Sequence, residues 1–317
     1  VRKAVVLGAS GGMGYALVQE LASRGIPVRA FARSHDRMQQ RFGTMKDVEI
    51  CSGDAFREDD LNKACKDVDV IFHAVNIPYP EWPKGHPVMM KNVLKAAEGS
   101  GAKIVFIDNI YAYGRSPGRK VTEDTPKNPH TRKGKIRLQL NKMLAEAHQR
   151  GVPTLICHFP DFYGPNAENT LMHFTLQGML SGRNAQYVGR MDVKREFIYT
   201  PDGAKAAVEL SLRDSAYGRH WNIPACDVIS GHEIVEIARR ATGYSKKVAT
   251  VGKGMIAFLG LFHKGMREMV EMMYLNEEPV VLSGEKYERE IGPLPRTPYE
   301  EGIQRTIEHM KQKKERS

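Results

Sequence analysis

Long hydrophobic runs are missing from this chain. The closest, residues 254–262, is far too short to cross a bilayer, so no membrane partner is expected. Cysteine is scarce. Cys51, Cys65, Cys157 and Cys226 are the only four in 317 residues, and they have no metal-ligand spacing. A disulfide scaffold is thereby excluded, and reduced core thiols in a cytoplasmic protein are expected. The eleven histidines form no His-x-x-x-His pair and no cluster with cysteine, so no metal is expected either. Repeats, linkers and low-complexity segments are absent. No Met opens the chain, from which we expect a trimmed start, and no secretory leader is expected before the first strand.

Acidic residues are outnumbered. Lys and Arg total 47 against 37 Asp and Glu, a net charge of +10. Much of the excess lies at 131–142 and in the tail 311–316. Without a base-reading motif these are basic patches only, and no nucleic-acid partner is expected. An anionic cofactor or substrate accounts for part of the remainder.

What is present begins at once. Residues 3–7 are an apolar strand, followed by glycines at 8, 11 and 14 and a helical pattern through Ala16, Leu17, Leu21 and Ala22. In such a turn Gly8 permits the tight bend, Gly11 leaves room for a diphosphate, and Gly14 lets helix pack on strand. Backbone donors from Ser10 through Gly11 and Gly12 to Met13, at a helix N-terminus, suit an anion. The context, strand before and helix after, points to dinucleotide binding.

The first half continues to alternate. Strands are expected at 3–7, 27–32, 48–51, 68–73, 103–107 and 154–158, and helices at 12–24, 59–66, 86–99 and 135–150. This pattern implies a parallel sheet with helices on both faces and a ligand crevice at the strands' C-terminal edge. Later, 168–181 and 202–213 read as helices, 195–199 as extended and 220–223 as a short strand. A helix from Ser230 to Thr242 is capped by Gly243, and a last helix is expected near 299–313.

With these landmarks the chain resembles the extended short-chain dehydrogenase/reductase family, the NAD(P)-dependent epimerase/dehydratase group. The residues that carry the resemblance are Gly8, Gly11 and Gly14; Gly53-Asp54; His73-Ala74-Val75; Ile110 to Gly114; Thr122 to Pro126; Phe162-Tyr163-Gly164-Pro165; Arg195 to Asp202; and Trp221-Asn222-Ile223. The resemblance implies a Rossmann-type, doubly wound α/β sheet with a smaller, mostly helical C-terminal substrate-binding region. The dinucleotide domain is expected at 1–165 plus about 196–223, and the substrate region at 166–195 and 224–317. It also implies that Asp54, with Ala55 beside it, contacts the adenine, and that Ala74 and Val75 line the cofactor. Phe159 and Pro160, after the sixth strand, complete the expected cofactor contacts.

At the reacting centre the chain departs from the family pattern. Family enzymes carry a Tyr-x-x-x-Lys pair on the helix after the fifth strand, with a helper Ser at that strand's end. Here those positions are Lys133, Arg137 and Asn109. Arg137 can donate to ribose hydroxyls but cannot act as acid or base. Lys133 could act as an acid if burial or its basic neighbours lower its pKa. Asn109 can polarise a carbonyl. Tyr111, on Asn109's face of an alternating strand, is the best replacement proton donor, against a plain reading as a packed aromatic.

After the second strand the family's NAD-selecting acid is missing, and Arg33 and Ser34 stand where a 2′-phosphate would lie. NADP is therefore expected over NAD. Asp161 takes the place of a family Asn, and Arg195 resembles a residue that contacts substrate phosphates; both are candidate substrate contacts, with a structural role the alternative for Arg195. Tyr79, Trp82 and His86, in an expected loop at 77–87, could line the pocket. The Met pairs at 89–90 and 272–273 read as core filler. The expected function is an NADP-dependent oxidoreductase, or an epimerase or dehydratase using transient hydride transfer, on a small carbonyl, hydroxyl or sugar-like substrate. A non-catalytic NADP sensor is the alternative. A homodimer is left open.

Overall fold

The computed structural model describes residues 1–116 and 118–315. Its strands are β1 (Ala4–Leu7), β2 (Val28–Ala32), β3 (Val48–Ser52), β4 (Val70–His73), β5 (Lys103–Asn109), β6 (Thr154–Phe159), β7 (Asp161–Tyr163), β8 (Gln186–Val188), β9 (Arg195–Tyr199), β10 (His220–Asn222), β11 (Val228–Ile229) and β12 (Ala249–Val251). Its helices are α1 (Gly12–Ser23), α2 (His35–Phe42), α3 (Glu58–Cys65), α4 (Trp82–Ser100), α5 (Arg132–Gln149), α6 (Leu171–Leu180), α7 (Thr200–Ser211), α8 (Gly231–Thr242), α9 (Lys253–Leu259), α10 (Lys264–Met269), α11 (Glu285–Glu290) and α12 (Tyr299–Glu315).

The central sheet has seven parallel strands in the order β10-β6-β5-β4-β1-β2-β3. Strands buried on both faces read as unbroken apolar runs, as β1 does: all four residues of Ala-Val-Val-Leu are buried. Successive residues still serve opposite faces. Ala4 and Val6 join a core shared with α1, α7, α8 and α12, while Val5 and Leu7 join one shared with α3, α4 and α5. The chain leaves β1 toward β2 and β3, then returns to β4 on β1's other side. The switch point therefore lies between β1 and β4, where a ligand crevice opens. A three-stranded sheet, β11-β9-β7, and the pair β12-β8 extend the second half beyond this edge.

Local signals set many boundaries. Ser230 accepts from the Glu233 N–H while Glu233 reaches back to the Ser230 N–H, a reciprocal cap that starts α8. Gly243 ends it in the left-handed region at φ 72°. One expectation is corrected. Residues 77–87 are not a loop: Tyr79–Glu81 forms a 3-10 turn and α4 begins at Trp82. Pro83 sits in the helix's first turn, where its missing N–H breaks no ladder bond. Trp82 is buried and its Nε1–H donates to the Ile77 carbonyl at 2.8 Å, which fastens the turn.

Candidate active site

The glycine turn leaves β1 with Gly8 at φ 86°. A Cβ on Gly8 would stand 2.8 Å from the Ala74 carbonyl oxygen and 2.9 Å from the Val75 nitrogen, so Gly8 packs directly on the turn after β4. A Cβ on Gly14 would stand 2.1 Å from the Gly8 oxygen, which is the helix-on-strand contact expected of it. Gly11 differs. It is exposed, caps α1 from extended backbone, and a Cβ there would meet only the Gly8 oxygen at 3.4 Å. No side chain caps α1 and its first turn holds no acid, so its leading N–H groups face an open cradle. That cradle fits a diphosphate. Gly12 has a second role that the sequence did not show: Ala167 packs against it, leaving 2.5 Å between a Gly12 Cβ and the Ala167 Cα. Arg41 of α2 donates to the Ser10 carbonyl and pairs with Glu168 at 3.2 Å.

The other expected cofactor residues line the same edge. Arg33 and Ser34 are exposed just past β2, and Arg33 pairs with no carboxylate among the described residues. Ser34 caps α2, its Oγ accepting from the Arg37 N–H at 3.3 Å. Asp54 shapes the turn after β3 by accepting from the Phe56 N–H at 3.0 Å, and Ala55 is buried beside it. Phe159 closes β6, with its ring buried against Phe162, and Pro160 is buried next to it.

At the end of β5 the structure corrects the expected geometry. The strand runs to Asn109, and Tyr111 lies beyond it in a turn. The Asn109 side-chain oxygen accepts from the Tyr111 N–H at 3.0 Å and bends the chain, as short amide side chains do. Tyr111 thus relates to Asn109 through a turn, not through strand alternation. Its hydroxyl lies 2.9 Å from that of Tyr79, and its ring stacks on Trp82. Burial pushes the Tyr79 phenol up to about 12 and the Tyr111 phenol well above its ordinary 10. In both cases the Arg137 charge opposes the rise, while Asp161 reinforces it.

Lys133 and Arg137 share one face of α5, and neither is solvated. Lys133 is 1% exposed, with its Nζ donating to Glu268 at 2.7 Å and Glu271 at 2.6 Å and lying 4.9 Å from the Tyr79 ring centre. The Lys133 expectation rested on burial or on basic neighbours, and the burial is present. The basic-neighbour half is corrected, because the groups that meet the ammonium are carboxylates delivered from far along the chain. Arg137 is also enclosed. Its guanidinium stacks on Trp82 at 4.4 Å and approaches Asp108 at 3.5 Å, while its Nε has no partner.

Behind Asn109 lies a buried polar network that the sequence did not reveal. Asp108 accepts from the Asn109 N–H at 2.8 Å and the Asn141 amide at 2.6 Å, and burial raises its carboxyl against the pull of Arg137. His158 Nδ1–H donates to the Asn109 carbonyl at 2.9 Å, and its Nε2 accepts from Lys127 Nζ at 2.8 Å. Burial holds His158 well below its ordinary 6.5, so it is neutral, and lowers Lys127 to about 8. The network fixes the backbone from which Tyr111 departs.

Asp161 and Arg195, the expected substrate contacts, are brought together. The Arg195 guanidinium donates to Asp161 and to Asn276. With Ile110, Glu196, Leu275 and Val280 they line a small cavity beside the Tyr79–Tyr111 pair's turn. Trp82 and His86, read as pocket-lining candidates, are instead 1% exposed and packed edge to face. Among the described residues no group of three or more His, Cys, Asp or Glu side chains is placed to hold a metal ion. Glu268, Glu271 and Asn276 escaped the sequence reading. Their only signal was the helical i, i+3 spacing of the two glutamates, which says nothing about the partner they face.

The comparisons with known proteins bear on the fold and the family. No curated protein matches the sequence. Among solved structures, the fold is similar to UDP-glucuronic acid 4-epimerase from Bacillus cereus in complex with NAD (TM-score 0.82, 18% identity, 98% of this chain and 99% of that one). It is equally similar to dTDP-glucose 4,6-dehydratase from Bacillus anthracis in complex with NAD (TM-score 0.82, 17% identity, 99% and 98% covered). UDP-glucose 4-epimerase from Thermotoga maritima with UDP-glucose follows (TM-score 0.80, 16% identity, 98% and 99% covered). The sequence model described as the NAD dependent epimerase/dehydratase family matches residues 4–223, from the first residue of β1 to just past β10. That match covers more than half of the chain, and the chain belongs to the NAD dependent epimerase/dehydratase family.

Proposed function

We propose that the protein binds NADP over residues 8–14 and moves a hydride to or from a carbonyl or hydroxyl carbon of a small, sugar-like substrate. The reaction is either a net oxidoreduction or a transient step of an epimerisation or dehydration. When bound, the cofactor supplies the hydride chemistry; the chain's own residues orient the reactants and handle the proton. Backbone N–H groups from Ser10 to Met13 would hold the diphosphate, Arg33 and Ser34 a 2′-phosphate, and Asp54, Ala55, Ala74, Val75, Phe159 and Pro160 the remainder.

The observation that carries the catalytic reading is the hydroxyl pair of Tyr79 and Tyr111, 2.9 Å apart at the sheet's C-terminal edge. It restores a phenol to a site whose Tyr-x-x-x-Lys positions hold Lys133 and Arg137. Tyr111 donates the proton to a substrate oxygen, and Tyr79 orients it through the shared hydrogen bond. Lys133 holds its ammonium over the Tyr79 ring, and Arg137 holds its guanidinium over Trp82, the ring that stacks on Tyr111, which supplies the electrostatic part of the missing lysine's task. Asn109 offers its amide to the substrate carbonyl. Asp161 and Arg195 bound the substrate side, and the sugar-like class rests on the family and on the epimerases and dehydratases of similar fold.

NADPH oxidation against aldehydes, ketones and nucleotide sugars tests the proposal. Tyr111→Phe should lower turnover by on the order of 10²–10⁴ with NADPH affinity unchanged, the usual scale of general acid catalysis. A fully active Tyr111→Phe beside a Lys133→Met that is inactive while folded and still binding NADPH would reassign the acid to Lys133. No turnover with any substrate, and no effect of either change, would favour the non-catalytic NADP sensor.

A further inference from the structure

We infer that the outer face of the helical hairpin formed by α9 and α10 docks on an anionic lipid surface. The hairpin is apolar on both sides. Its inner side is anchored by Ile256, 1% exposed, which packs with Met273 and Val188 in a small apolar cluster. Its outer side is apolar too: Met255, Phe258, Leu261, Phe262 and Met266 are 56, 58, 73, 73 and 39% exposed. Ten large apolar side chains are exposed among the described residues, and five of them fall within these twelve positions. That is a patch, not the single scattered side chains that every surface carries. The rings of Phe258 and Phe262 already pack edge to face on the solvent side.

Charge identifies the occupant. Residues 252–267 contain Lys253, Lys264 and Arg267 and no carboxylate, and all three cations are exposed. The first acids after them, Glu268 and Glu271, are turned inward to Lys133 and to Arg132. An apolar, aromatic tip rimmed by cations matches a bilayer interface, with its apolar interior beneath anionic headgroups. The chain's net charge of +10 adds attraction at longer range. A second copy fits worse, because a two-fold contact would set this cationic rim against itself. No helix among the described residues is long and apolar enough to cross a membrane, so the contact lies in the plane of the interface; the expectation of no membrane partner, argued from the short apolar run at 254–262, addressed spanning only. The surface is joined to the candidate site: α10 packs on the Tyr79–Glu81 turn, and the segment that follows it carries Glu271 and Asn276.

Co-sedimentation of the full chain with vesicles of phosphatidylcholine, with and without one-third phosphatidylglycerol, tests the inference. The protein should pellet with the anionic vesicles, and at least about tenfold less with phosphatidylcholine alone. Leu261→Ser/Phe262→Ser and Lys253→Glu/Lys264→Glu should each weaken partitioning at least about tenfold, with unchanged melting temperature because these side chains are exposed. Equal binding to both vesicle types, or none to either, overturns it. So does a concentration-dependent dimer in light scattering that Leu261→Ser/Phe262→Ser abolishes in a protein that ignores vesicles. NADPH binding is measured separately, so neither result depends on the proposed chemistry.

Discussion

Gly11→Asp separates binding from folding at the cradle. Gly11 caps α1 with φ −87° and ψ 168°, extended backbone that any residue adopts. The nearest atom to a new Cβ is the Gly8 oxygen at 3.4 Å, an ordinary contact. Aspartate is a preferred N-cap, and α1 has neither a capping side chain nor an acid in its first turn. The substitution should therefore stabilise the cofactor-free protein, by a few tenths of a kcal/mol from capping and about 0.3–1 kcal/mol from the helix dipole. The same carboxylate would occupy the diphosphate's place. Two like unit charges about 4 Å apart repel by about 4 kcal/mol at an effective dielectric constant near 20. Allowing for screening at this exposed position, the NADPH dissociation constant should rise at least ~10²-fold, or about 2.7 kcal/mol. Calorimetric titration with NADPH gives the first quantity, and thermal unfolding without cofactor gives the second. An Asp variant that binds within about threefold of the parent would refute the cradle assignment. A variant that loses binding and melting temperature together would show that Gly11 is needed for folding instead. Gly14→Ala is the contrast, since its Cβ would collide with the Gly8 oxygen at 2.1 Å and both properties should fall.

Three further outcomes follow from the same geometry. Arg33→Ala should weaken NADPH binding by about 1.5–3 kcal/mol, the range of a charge-assisted hydrogen bond, and leave NADH affinity in place; equal losses for both would remove Arg33 from 2′-phosphate recognition. Lys133→Met leaves Glu268 and Glu271, whose side chains are 15 and 26% exposed, with only the more exposed Arg132 guanidinium, 3.6 Å from Glu268, as a cation. Unfolding by urea should show a loss of about 2–4 kcal/mol, discounted for that exposure, and Glu268→Gln/Glu271→Gln on the same background should recover most of it; a loss below about 1 kcal/mol would mean the clamp is slack. Glu196 is buried, accepts from the Leu282 N–H at 2.8 Å, and burial raises its carboxyl from 4.5 to about 8. The folded state then holds this proton between about pH 4.5 and 8 while the unfolded state releases it, so stability falls as pH rises through that window. Glu196→Gln should flatten the fall, gaining a few kcal/mol over the parent above pH 8 and little below pH 5; parallel denaturation profiles would refute the assignment.

The sequence by itself determined what acts over a few residues. A glycine's freedom at φ 86°, the alternation of apolar strand and helix, the Ser230 cap and the left-handed stop at Gly243 need no distant partner, and each stands where the pattern placed it. Continuous apolar strands dictated a sheet buried on both faces, and with it the edge on which a cofactor site forms. The expected loop at 77–87 failed because Pro83 stands in the first turn of α4, where a missing N–H loses no bond, and because Trp82 fastens the turn; Pro87 is carried inside the helix. Only the tertiary structure decided the partners of the ionisable groups. Lys133 meets Glu268 and Glu271 across 135 and 138 residues, Tyr111 meets Tyr79 across 32, and Arg195 meets Asn276 across 81. A buried charge is fixed by whichever opposite charge the packing delivers, and packing of whole elements is a property of the complete fold rather than of any window of sequence.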